Sequence, residues 1–123
     1  MAKRPTPSGL RIRVVFPSGT MIGPGKADLL EGIRDTGSIA AACRRMGMSY
    51  KRAWMLVETM NAGCRAPLVA AARGGAAHGG ASLTPLGAEV LAAYRALETK
   101  AAASAADELA VLAAAVADMA GEK

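Results

Sequence analysis

Four consecutive residues, Ser49, Tyr50, Lys51 and Arg52, bring a hydroxyl, a phenol, an ammonium and a guanidinium to one point of the chain. Such a set suits the recognition of phosphates and bases rather than bond making. Lysine and arginine neutralise phosphates and donate to guanine O6 and N7, and a good bidentate base contact discriminates by about 1–3 kcal/mol. Serine and tyrosine hydroxyls donate to phosphate oxygens, and a helix N-terminus adds its dipole. Further cationic candidates are Arg44 and Arg45 just before this set, and Arg73 and His78 in the glycine-rich stretch RGGAAHGG.

Other chemistries find less support. The single histidine has no nucleophile or carboxylate partner visible in the sequence, and no paired acids stand in a catalytic arrangement, so no enzyme is expected. Cys43 and Cys64 lie outside any CxxC spacing and, with one histidine, leave no ligand set for a structural zinc. No metal site and no cofactor are expected. Cys43 reads as a small core residue in an apolar helical run. The glycines of RGGAAHGG fit a P-loop poorly, because no GK[ST] follows them.

The elements that must position these residues follow from charge and periodicity. The chain has 123 residues and a formal charge of +5. Residues 1–84 hold twelve cations against four acids, and residues 85–123 hold three cations against six acids. The front of the chain should therefore seek a polyanion, which could be nucleic acid, an anionic membrane or an acidic partner. The opening MAKRPTPSGLRIR has no apolar h-region, so no secretory signal is expected. Asp107, Glu108 and Asp118 interrupt the alanine-rich tail and exclude a membrane span, and a cytoplasmic location is expected.

Residues 1–9 contain Lys3, Arg4, Pro5, Pro7 and Gly9 and are predicted to be a flexible basic arm. In LRIRVVF, Leu10, Ile12, Val14 and Phe16 recur with the period of a half-buried strand. PSGT is a turn, and a short return strand at MIG should end where Pro24 and Gly25 break it. From Lys26 the period becomes helical, with Leu29, Leu30 and Ile33 on one face and Gly37 at the end. Ser38 should cap a second helix that Gly47 terminates, and Ser49 a third that runs to about Asn61. After Pro67, strands near Leu68 to Arg73 and Ala81 to Leu83 should form a hairpin whose tip runs from Gly74 to Gly80. Thr84 and Pro85 open a last helix as N-cap and first helical residue. Its apolar seam, Leu86, Val90, Tyr94, Leu97, Leu109, Leu112 and Val116, predicts one long helix to about Met119 that pairs with a second copy.

Two short helices joined across GMS form a helix-turn-helix outline. Ala42 and Cys43 allow a close crossing, Gly47 tolerates the turn, and Met46, Met48, Ala53 and Val57 point between the helices. The second helix of such a unit leads into the major groove, which places Ser49, Tyr50, Lys51 and Arg52 at base edges and phosphates. Trp54 shares a face with Ala53, Val57 and Met60 and is expected to pack against the preceding helix rather than touch DNA. Arg44 and Arg45 are either a solvated face or backbone contacts, with DNA favoured, and RGGAAHGG is either a plain loop or a wing that brings Arg73 and His78 to phosphates or the minor groove.

The stretch IGPGKADLLEGIRDTGSIAAACRRMGMSYKRAWMLVETMN, followed by PLV, the glycine-rich hairpin and LTPLGAEVLAAYRALE, resembles the N-terminal winged helix-turn-helix domain of ModE-type molybdate-responsive regulators, itself related to the LysR-type DNA-binding domain. The resemblance covers roughly residues 10–98. It implies a domain that dimerises through its helices, binds a palindromic operator on double-stranded DNA, and controls molybdenum uptake or molybdoenzyme genes. ModE proteins continue into oxyanion-binding domains, for which this chain leaves no room, so no counterpart of the molybdate site is expected. Control then rests on a separate effector or sensor protein, on a site not visible in the sequence, or on no effector.

The expected fold class is α+β and mainly helical: a winged helix-turn-helix at residues 10–84 with a long C-terminal dimerisation helix at residues 85–123. The expected function is a homodimeric, sequence-specific DNA-binding transcriptional regulator. The alternatives are a winged-helix protein–protein interaction module and a small molybdate- or oxyanion-binding protein.

Overall fold

The alternating segment at the start of the chain forms a much shorter ladder than its pattern suggests. In the computed structural model, which describes residues 9–72 and 80–121, strand β1 (Val14–Val15) pairs antiparallel with β2 (Met21–Ile22). Val14 lies opposite Ile22 and Val15 opposite Met21. Leu10 and Ile12 fall outside the ladder because the return segment offers only two residues before Gly23 and Pro24 turn into a helix. Pro24 does not precede that helix as a break. It opens α1 (Pro24–Thr36), with Gly23 as N-cap, because a proline at the first helical position loses no hydrogen bond and already has helical φ.

The helical core follows the predicted faces. Leu29, Leu30 and Ile33 of α1 are fully buried, together with Ala42, Ala53, Val57 and Met60 from the next two helices. These are α2 (Ile39–Met46) and α3 (Tyr50–Gly63). Two left-handed glycines, Gly37 at φ 74° and Gly47 at φ 71°, end α1 and α2, a conformation that a Cβ would disfavour. The next helix is capped each time by serine: Ser38 Oγ accepts from the Ala41 amide at 3.0 Å, and Ser49 Oγ from the Arg52 amide at 3.1 Å. Helices α1 and α2 approach closely at Gly32, where a Cβ would lie 2.9 Å from that of Ala42.

After α3 comes the hairpin of β3 (Val69–Ala72) and β4 (Gly80–Leu83), paired antiparallel with Val69 opposite Leu83 and Ala72 opposite Gly80. The predicted tip, with Arg73 and His78, lies outside the described residues, as does the basic arm through Ser8. The hairpin is tied to the turn before α2: Ser38 and Gly80 form an isolated bridge, and the Ala81 amide donates to the Gly37 carbonyl at 2.9 Å. The architecture is thus mainly helical α+β with two small antiparallel sheets.

The expected single long terminal helix is two helices, α4 (Pro85–Ser104) and α5 (Ala106–Gly121), separated at Ala105. Ala105 has φ −103° and ψ 16°, outside helical values. An alanine-rich run shows no break in its pattern. However, Asp107 and Glu108 occupy the first turn of α5, where acidic side chains favour a new helix N-terminus. Thr84 caps α4 as expected, its hydroxyl accepting from the Gly87 amide at 2.9 Å. No helix among the described residues is long and apolar enough to cross a membrane.

Candidate nucleic-acid interface

The leading end of α3 stands open to solvent. Ser49, Tyr50, Lys51 and Arg52 are all exposed, Tyr50 by 51%. One turn further along, Ala53 and Val57 are buried, so the helix is anchored by its inner face while its first turn projects. Lys51 and Arg52 form no ion pair with any described acid. Ser49 uses one oxygen lone pair on the Arg52 amide, and its hydroxyl proton is donated to no acceptor among the described residues. The first-turn amides and the positive end of the helix dipole lie at the same end of α3 as these side chains, a setting that favours an anion.

Trp54 is half-buried against the core, and its ring meets that of Tyr50 edge-on, with centroids 6.4 Å apart and planes at 83°. The indole therefore serves two purposes. It packs the helix onto the body and gives the exposed Tyr50 ring a wall, an arrangement worth about 0.5–1.5 kcal/mol beyond the area buried.

On α2, Arg44 and Arg45 are both exposed in the last turn, but they differ. Arg44 pairs with no described acid, whereas Arg45 Nη2 lies 3.3 Å from Asp35 Oδ2 on α1. Asp35 also accepts from Arg34 Nε at 2.9 Å. The hydrogen bond from Arg34, assisted by that from Arg45, holds the Asp35 carboxyl below its usual range. Of the two cations expected on this helix, one is partly neutralised by a neighbour that its own sequence context did not reveal.

The scaffold behind this surface depends on a residue missed by the sequence pattern. Asn61, in the last turn of α3, accepts from the Leu68 and Val69 amides at 2.8 and 3.1 Å and donates to the Val69 carbonyl at 3.1 Å. It thereby sets the angle at which the hairpin leaves α3. A polar residue near a helix end, followed by Gly63 and Pro67, was the only signal of this, and it does not distinguish a latch from a solvated side chain.

The chain is similar to ModE and Mop proteins. It is 49% identical over 85 residues to the molybdenum-pterin-binding protein MopB of Rhodobacter capsulatus, covering 69% of this chain and 32% of that protein. It is 42% identical over 80 residues to the molybdenum transport protein ModE of Azotobacter vinelandii, covering 65% and 30%. With the DNA-binding transcriptional dual regulator ModE of Escherichia coli K12 it shares 38% identity over 71 residues, covering 58% and 27%. The chain spans about a third of the length of these ModE and Mop relatives. No protein-family model matches it.

The residues expected to form a dimer seam separate into three groups. Leu86 and Val90 are half-buried on the first turns of α4. Tyr94 is only 4% exposed and belongs to the core of the chain itself, with its hydroxyl donating to the Ile12 carbonyl at 2.6 Å. It lies in one core cluster with Leu29, Leu30 and Ile33 of α1, and the N-terminal segment supplies its acceptor at Ile12, neither of which the seam pattern could anticipate. Leu97, Leu112 and Val116 are exposed by 38%, 62% and 61%, and Leu109 is half-buried. Beside Tyr94, Arg95 braces α4 on α1 through Asp28 at 2.7 Å and Glu31 at 2.6 Å, and it pairs with Glu98 of α4 itself at 3.0 Å. Burial alone would lower the pKa of the Arg95 guanidinium, but the hydrogen bonds to these three carboxylates raise it overall.

Proposed function

We propose that this chain binds double-stranded DNA with sequence preference, as a homodimeric transcriptional regulator of the ModE type. In this reading α2, the Gly47 turn and α3 act as a helix-turn-helix, and the β3–β4 hairpin is its wing. The observation that carries the proposal is the projecting first turn of α3, with Lys51 and Arg52 unpaired with any described acid beside the exposed Ser49 and Tyr50. Similarity to relatives named as ModE transcriptional regulators supports it, relatives named for molybdenum transport extend the proposal to molybdenum-related genes as targets, and a homodimer calls for a palindromic operator. Affinity comes mainly from phosphates, and specificity from Lys51 and Arg52 at base edges. A separate effector or sensor protein fits this arrangement. We assign no catalysis to the chain.

Mobility shifts with fragments of the host genome, run against random competitor duplex, test this. The expected result is a retained subset of fragments whose binding falls steeply with salt. No preference over competitor would favour a protein-interaction module instead.

The names of the Mop relatives favour a second reading, in which the chain binds a molybdenum-containing ligand or another oxyanion. Calorimetry with molybdate, tungstate and sulfate separates the two, since a DNA-binding chain without such a site gives no heat with any of them.

A further inference from the structure

Two apolar surfaces are left uncovered by the described residues. One is a groove of about 390 Å³ floored by Phe16 and Ile22 of the first hairpin and by Leu86 and Val90 of α4, with Cys64 and Arg65 at its rim. Phe16 itself is 44% exposed. The other surface is α5. None of its side chains from Ala106 to Val116 is buried, and Val111, Leu112 and Val116 are exposed by 69%, 62% and 61%. Leu109, Leu112 and Val116 stand three and four residues apart and share one face.

We infer that α5 of a second copy of this chain docks in the groove between the first hairpin and α4, and that the exchange is reciprocal. The inference rests on the homodimer in the proposed function and names its interface. Three observations commit it to this occupant. First, α5 supplies apolar side chains at helical spacing, which is what an apolar groove accepts. Second, its first turn carries Asp107 and Glu108, and the groove rim carries the exposed Arg65, so an inserted α5 meets opposite charge at its acidic end. Third, geometry disfavours the chain's own α5. From Val90 to Ala106 the helix rises by roughly 24 Å at 1.5 Å per residue, which carries α5 away from the groove. A return needs an antiparallel connection of about 2–5 residues, whereas Ala105 alone separates the two helices.

The native Cys64 at the groove rim provides the test, since the other cysteine, Cys43, is buried. In Leu112→Cys, where the thiol keeps a small apolar side chain on the docking face, a short bis-maleimide should join position 112 of one chain to Cys64 of another. The product should run at twice the monomer mass on a denaturing gel, and Cys64→Ser should abolish it. A link between the same two positions within one chain shows that α5 folds back, and overturns the inference. A link between two copies of position 112 that survives Cys64→Ser indicates a parallel seam, and also overturns it. So does the absence of any link in a chain that sediments as a dimer. Sedimentation as a monomer would instead refute the homodimer itself, and mobility shifts report on DNA binding independently of either. As a second measurement, Val116→Glu should raise the dimer dissociation constant by about tenfold or more, and an unchanged constant counts against the interface.

Discussion

Asp35 and Arg45 form an ion pair of 3.3 Å that ties the C-terminal turn of α1 to the C-terminal turn of α2. The pair is exposed and so adds little to stability, but it neutralises a cation beside the projecting end of α3. Any phosphate that approaches Arg45 must compete with Asp35. Asp35→Asn should therefore strengthen DNA binding and steepen the dependence of log K on log salt by about 0.9, the increment for one additional phosphate contact. Thermal stability should hardly change. In an Arg45→Ala background the same substitution should have a smaller effect, and equal effects in both backgrounds would show that Asp35 acts through Arg34 or at long range.

Lys51→Ala and Arg52→Ala should each weaken binding to a preferred fragment by about 1–3 kcal/mol if the side chain reads a base. Binding to random duplex should fall less, and the melting temperature should stay within error, because both side chains are exposed and neither pairs with a described acid. Trp54→Ala should do the reverse, since the indole packs on the core and supports the Tyr50 ring. Its melting temperature should drop, and any loss of binding should track that drop. If both cation variants bind as the parent does, α3 is not the recognition element.

How far the sequence revealed this surface depends on the range of the interactions involved. The first turn of α3 was legible because its determinants are local: Ser49 caps the helix three residues before Arg52, and Gly47 supplies the left-handed turn. The buried face of α1 was legible because Leu29, Leu30 and Ile33 repeat with the helix. What escaped depends on residues distant in sequence. Tyr94 has the spacing of a seam residue, but it joins the core cluster of α1 and its hydroxyl donates to Ile12, 82 residues away. Asp35 lies ten residues from Arg45, and nothing in the spacing shows that α1 and α2 end side by side. The break at Ala105 occurs among alanines, where neither glycine nor proline marks it.

Tyr94 predicts an alkaline limb in the stability curve. Burial, and then the charge of Glu98, raise the phenol pKa above its ordinary value near 10. A group raised on folding stabilises the protein fully below its unfolded value and loses that contribution as pH rises through its folded value. Ionisation would also remove the proton that the hydroxyl donates to Ile12. Stability should therefore fall more steeply in the parent than in Tyr94→Phe as pH rises above about 10. At neutral pH the variant should be weaker by about 0.5–1.5 kcal/mol through the lost hydrogen bond. Chemical denaturation at both pH values checks this, and parallel curves would show that the phenol does not titrate in this range.

Asn61 offers the sharpest separation of scaffold from contact surface. Its amide accepts from two backbone amides and donates to one carbonyl at the start of β3, and Leu68 and Val69 are themselves buried. Asn61→Ala leaves both donors without a partner, and an unsatisfied buried group costs about 1–3 kcal/mol. Asn61→Asp keeps the acceptor but replaces the donor with an oxygen facing the Val69 carbonyl, so it should recover part of the loss and not all of it. The hairpin should loosen before the helices do, because the latch acts where the chain leaves α3. Amide exchange should then quicken at Val69 through Ala72 while Leu29, Leu30 and Ile33 of α1 stay protected. Uniform acceleration across both regions would mean that Asn61 holds the whole fold together rather than the hairpin alone.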